Sequence, residues 1–176
     1  MKNYKNILMI LLVSLFSLSG CGNKSSENLE SIMTTTELTN ELKVGNTIKA
    51  INVNDQFDKP QKLTNYTKKI IFVFTKNSGH QVRELLNKKP NDYLSKSNIT
   101  FIADIHKMPS IIANMIAIPD LQKHKYSIML IRDDKLSLPY LNETYKEYIT
   151  IVSLDNLKVT DITLISDAKE LDKLLK

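Results

Sequence analysis

Tryptophan is absent from this chain of 176 residues, cysteine occurs once, and glycine and proline are sparse at four and five. Each scarcity removes a class of chemistry. A single cysteine, Cys21, cannot form an internal disulfide, build a multi-cysteine metal site or supply a Cys-x-x-Cys pair. Only Gly45 and Gly79 lie beyond residue 22, so there is no glycine-rich loop to cradle a phosphate. Neither sign of charge dominates: 24 Lys and Arg against 19 Asp and Glu give a formal +5, dispersed along the chain. That is too mild for a nucleic-acid-binding face. Long apolar runs are also missing. The most apolar stretch, residues 7–18, would span about 18 Å as a helix, short of a hydrocarbon core of roughly 30 Å. What remains is ordinary globular material, 42% hydrophobic and 24% charged, in a chain long enough to bury a core without disulfides or metals.

The chain opens with an address. Lys2 and Lys5 precede residues 7–18 (ILMILLVSLFSL), the charged-then-apolar layout of a secretory signal. The run ends in Leu18-Ser19-Gly20-Cys21. This resembles the bacterial lipobox. The resemblance implies cleavage before Cys21, a diacylglycerol on its thiol and a further acyl chain, such as palmitate, on its amine. Two or three chains, at about 0.8 kcal/mol per buried CH₂, make an effectively permanent membrane anchor. Residues 1–20 are therefore expected to be a lipoprotein signal peptide, and losing Lys2 and Lys5 takes the formal charge from +5 to +3. Residues 21–42 are rich in Ser, Thr, Asn and Glu and lack a steady apolar period, so they read as a flexible tether. A coil of that length reaches about 25 Å. An ordered strap with a short helix around residues 29–33 is the competing reading. In a cell with an outer membrane, Gly22 in place of aspartate after the lipidated cysteine points to the periplasmic face of that membrane; otherwise the domain sits on the outer face of the cell membrane.

Residues 43–176 carry the pattern of one folded domain. Residues 43–53 read as an opening strand or hairpin turning at Gly45, residues 54–60 as a turn and residues 61–66 as a connector. Residues 70–75 (IIFVFT) are apolar on both faces, as a central parallel strand is. KNSGH and QVRELL follow: a tight turn, then a helix capped by Ser78, striped by Val82, Leu85 and Leu86, and ended by Pro90. Residues 99–105 form a second buried strand. Pro109 suits the first turn of a helix over residues 108–118. Its Ile111, Ile112, Met115, Ile116 and Ile118 predict a well-buried helix, kinked or ended at Pro119. Residues 126–131 give a third strand and residues 132–135 a polar turn. Residues 148–154 and 158–165 pair as a hairpin about Asp155-Asn156. Residues 168–175 close the chain as a helix with Leu171, Leu174 and Leu175 inward.

The order β-α-β-α-β-β-α resembles the thioredoxin fold: an α/β three-layer sandwich with a central mixed β-sheet and helices on both faces. The resemblance covers residues 44–176. Leu63-Thr64-Asn65-Tyr66 and the polar loop before it are similar to the lead-in of periplasmic thioredoxin-like and peroxiredoxin-like proteins. Residues 57–175 look like small bacterial envelope proteins with thioredoxin folds and no redox motif. The resemblance implies redox cysteines where the 70–75 strand meets its helix, but Lys76, Asn77, Ser78, Gly79 and His80 stand there. It also implies a cis-proline before the third strand, where this chain has Lys125-Tyr126-Ser127. A thiolate is the nucleophile of this chemistry. The two departures predict a protein without redox catalysis, and not an enzyme.

The candidate ligand-binding edge gathers Lys76, Ser78 and His80 at a helix N-terminus, whose free N–H groups and positive dipole end favour anions. His106, after the second strand, belongs to the same edge, and Tyr126 is added from the start of the third. His80, His106, His124 and Asp104 lack the spacing of a metal site, so neither metal nor other cofactor is expected. Met108, Met115 and Met129 read as core fillers, and Asp133-Asp134 as a turn. Tyr140, Tyr145 and Tyr148 suit either a contact surface or loop packing. The chain thus reads as an envelope lipoprotein, held to the membrane by lipid on Cys21, whose domain binds or assembles with an envelope protein partner. Two alternatives stand beside this: a thiol-redox accessory using a partner's cysteines, and a small-ligand or metal carrier using the His80 edge.

Overall fold

A computed structural model describes residues 32–175. Eight strands follow in order: β1 (Ile32–Thr35), β2 (Asn52–Asn54), β3 (Pro60–Lys62), β4 (Lys69–Val73), β5 (Ile99–Asp104), β6 (Met129–Ile131), β7 (Ile149–Asp155) and β8 (Lys158–Ile165). The helices are α1 (Lys76–Leu86), α2 (Tyr93–Lys96), α3 (Ser110–Ile112), α4 (Ile118–Leu121), α5 (Asp134–Ser137) and α6 (Ala168–Leu174), with a π-helical turn, Ala113–Ala117, joining α3 to α4. Six strands make one mixed sheet in the order β1-β8-β7-β4-β5-β6, and β2 pairs with β3 alone. Strand β4 is central: it runs parallel to β5 and antiparallel to β7. Its Ile71 and Val73 enter one core layer and its Ile70 and Phe72 the other, which is why the run shows no polar alternation.

One core layer lies under α1, α2, α4 and α6, and holds Val82, Leu86, Leu94, Leu121 and Leu171. The opposite face is covered by Leu38, Leu42, Ile48 and Ile51 of an N-terminal strap and by Tyr140, just after α5. This corrects the reading of the tether at its C-terminal end. Strand β1 adds antiparallel to β8, with Met33 opposite Leu164, and Leu42 is fully buried. Polar composition concealed a strap whose Leu38, Leu42, Ile48 and Ile51 point inward. The expected signal peptide, Cys21 and the rest of the expected tether, residues 22–31, lie outside the described residues.

Three local expectations also change. Thr75, not Ser78, caps α1: its side chain accepts from the Ser78 backbone N–H, so KNSGH is helix rather than turn. Residues 61 and 62 are not connector but half of the β2–β3 hairpin. The hairpin β7–β8 turns on Asn156 and Leu157, both at positive φ (49° and 65°), one residue later than expected.

The helix after β5 departs most. It is not well buried: Ile111, Ile112, Met115 and Ile116 are exposed, Met115 to 74%, so Met115 is not a core filler. The cause is Pro119. It has no N–H to give the Met115 carbonyl, and its ring clashes with an α-helical carbonyl four residues back. The chain widens instead into the π turn, where the Ile118 N–H donates to the Ala113 carbonyl, and helix resumes through Leu121. Only Ala113, Ile118 and Leu121 of this element reach the core.

Candidate functional site

The C-terminal ends of β4 and β5 open into a groove of about 610 Å³ between α1 and the α3–π–α4 helix. Val73 and Ala103 lie on its floor, and Ile112, Met115 and Ile116 line its outer wall. The short side chains of Val73 and Ala103 leave this volume open. Lys76, Arg83 and Lys123 also line it. Arg83 lies 3.6 Å and Lys123 3.0 Å from the two carboxylate oxygens of Asp120. The hydrogen bond from Lys123, helped by the Arg83 charge, holds Asp120 below the usual carboxylate range. The groove is therefore an apolar trough with a paired, charged rim.

On the other face of the same sheet edge is a smaller cleft of about 370 Å³, lined by Phe74, Thr75, Lys76, His106 and Glu147. Asp104 closes its inner side. One Asp104 oxygen lies 2.6 Å from His106 Nδ1, and the other accepts from the buried hydroxyl of Ser137. The pair joins the loop after β5 to α5.

The expected edge is only partly assembled. Lys76 lines both cavities. Ser78 is buried in the first turn of α1, and its Oγ lies 3.0 Å from Thr75 Oγ1 and 3.2 Å from the Thr75 carbonyl. That hydroxyl is engaged in capping, with no base among its bonded partners. His80 turns outward to Glu84, 3.2 Å away and one helical turn on. His106 does lie at the expected edge. Tyr126 does not: it precedes β6, whose parallel pairing with β5 puts that segment at the far end of the sheet. There it stacks on His124 at 5.4 Å and lies 3.5 Å from Asn87. Burial pushes the Tyr126 hydroxyl up and the His124 imidazole down.

The proline comparison shifts as well. Strand β7 runs antiparallel to β4, with Thr150 opposite Phe72, so the residues that enter β7 lie beside the junction. These are Glu147 and Tyr148, not Lys125-Tyr126-Ser127, and neither is proline. Tyr140, Tyr145 and Tyr148 prove to be loop packing: Tyr140 is buried and stacks on Phe72 at 5.5 Å, and the other two pack edge to face. Burial raises the Tyr140 hydroxyl to about 12.

Sequence reasoning missed Arg83, the groove wall and the bond from Ser137 to Asp104. A charged residue ending the apolar run ITFIAD was the signal for Asp104. For the outward turn of the isoleucines the local signal was Pro119, which widens the helix before it. Among the described residues, no cluster of three or more His, Cys, Asp or Glu is placed to hold a metal. None of the described helices is long and apolar enough to cross a membrane.

No protein-family model matches the chain. No curated protein matches it either. Solved structures do match. The thioredoxin domain of a thiol-disulfide oxidoreductase from Bacteroides vulgatus is 14% identical, with a TM-score of 0.50 over 77% of this chain and 99% of that one. A putative thioredoxin from Neisseria meningitidis is 13% identical, at 0.50 over 72% and 85%. A peroxiredoxin-like protein from Aquifex aeolicus is 11% identical, at 0.50 over 78% and 88%. These likenesses show the fold: a thioredoxin-like α/β domain around a mixed sheet of six strands.

Proposed function

We propose that this chain is a lipid-anchored binding module of the cell envelope, whose thioredoxin-like domain grips an apolar segment of a partner protein in the groove beside α1. One observation carries the reading. Ile112, Met115 and Ile116 stand exposed along a groove of about 610 Å³ at the edge where this fold carries its chemistry. Large apolar side chains left in water beside a concavity mark an interaction site. The junction offers no thiolate, and Ser78 is committed to Thr75. Binding is the activity these residues support.

The test is photo-cross-linking in intact cells from a reactive group at Lys123, on the groove rim. A discrete protein adduct is expected. Ile116→Asp should reduce it at least tenfold, because a carboxylate would be desolvated in the groove without a partner. Ile116 is exposed, so the fold tolerates the change. An adduct unaffected by Ile116→Asp would overturn the reading.

A second reading draws on the likeness to a protein named a thiol-disulfide oxidoreductase. In it, the domain assists thiol exchange with a partner's cysteines. A disulfide-exchange assay that depends on the partner's cysteines separates the two.

A further inference from the structure

The register of the sheet sorts the surface into two unlike ends. Met33, Leu164, Thr150, Phe72, Ile102 and Met129 lie in one row across the six strands. Ile32 is one residue beyond that row, on the side where β4 and β5 end. The chain therefore enters β1 from the same end of the sheet as the strand–helix junction. That end also carries most of the large exposed apolar side chains. Ile111, Ile112, Met115 and Ile116 follow β5, and Leu136 and Leu138 follow β6; Ile32 itself is exposed. The hydrogen bond from Ser137 to Asp104 holds α5 against the end of β5. The remaining exposed examples, Val44, Phe57 and Tyr66, sit on three separate loops.

We propose that this end of the domain rests on a lipid bilayer, with Ile111, Leu136 and Leu138 in the headgroup–acyl boundary. The inference rests on the reading of Cys21 as the lipid anchor. Ten residues, 22–31, separate Cys21 from Ile32. At full extension they reach about 35 Å, and as a coil roughly 18 Å. So short a link, attached at the apolar end, holds that end toward the membrane surface and the polar end away. An apolar helix face lying in the interface plane is a recognised mode of membrane contact. Ile111, 69% exposed, does not line the groove, so bilayer contact and groove occupancy are separable. The groove then opens at the lipid–water boundary, and its partner segment emerges from the membrane.

The experiment uses the full lipoprotein in phosphatidylcholine–phosphatidylglycerol vesicles. An environment-sensitive fluorophore is placed at Ile111→Cys and, at the opposite end, at Tyr66→Cys. The label at 111 is expected to lose emission to brominated acyl chains and to be shielded from aqueous iodide, with the reverse at 66. Equal iodide access at both positions overturns the proposal. If it falls while Ile116→Asp still abolishes the protein adduct, the groove reading stands alone. Labelling of the unsubstituted chain at Cys21 removes the anchor, and this proposal with it.

Discussion

Asp55 shows how much one side chain decides. It is 2% exposed, yet fully partnered. One oxygen accepts from the backbone N–H groups of Phe57 and Lys59, at 2.9 and 3.0 Å; the other accepts from Gln61 Nε2 and Ser127 Oγ, both at 3.0 Å. Gln56 beside it donates to the Tyr126 carbonyl and accepts from the Ile128 N–H. Together they seam the β2–β3 hairpin onto the start of β6. Truncating Asp55 strands several donors in a site shielded from water. Asp55→Ala is expected to cost about 2–4 kcal/mol in urea unfolding. A loss under about 0.5 kcal/mol would show the seam to be dispensable. In the sequence, NDQFDK with Pro60 reads as a turn, and it is one. That two of its polar residues are core residues follows from a partner strand some seventy positions away.

Among the elements, strands β4, β5, β7 and β8 are legible because each runs five to eight residues with repeated isoleucine, valine or threonine. The strap and the α3–π–α4 helix are not. Composition alone makes the polar stretch loose and the isoleucine-rich stretch buried, and packing reverses both. Leu42 carries the test for the strap. It is wholly buried among the residues covering the second face of the sheet. Leu42→Ala is expected to destabilise by about 2–4 kcal/mol, through lost transfer energy and the cavity left behind. A flexible tether would tolerate the change within about 0.5 kcal/mol, so thermal or urea unfolding decides between them.

At the scale of the whole molecule, anchoring and chemistry meet in a single residue. Cys21 is the only thiol, and the proposed lipid would block it. Cys21→Ala in the full chain is expected to accumulate as a longer, unprocessed precursor and to leave protein-disulfide reduction at background. A mature size and membrane retention unchanged by the substitution would refute the anchor. Accelerated disulfide exchange that requires a partner's cysteines would favour the redox-accessory reading over the binding module. The domain architecture is compatible with either reading, because fold does not set function.

Some of this was determined by the sequence alone. One cysteine forbids an intrachain dithiol by count, whatever the tertiary arrangement. The order of buried strands and helices gave the thioredoxin-like architecture, because period and β-branching act locally. The site was another matter. Whether His80 meets His106 or Glu84, whether Tyr126 joins the edge or lies at the far end, and whether Ile111–Ile116 is core or surface all depend on strand direction, register and the widened turn before Pro119. Those are relations between segments far apart in the chain. A residue's type limits what it can do, while its neighbours across the fold decide what it faces.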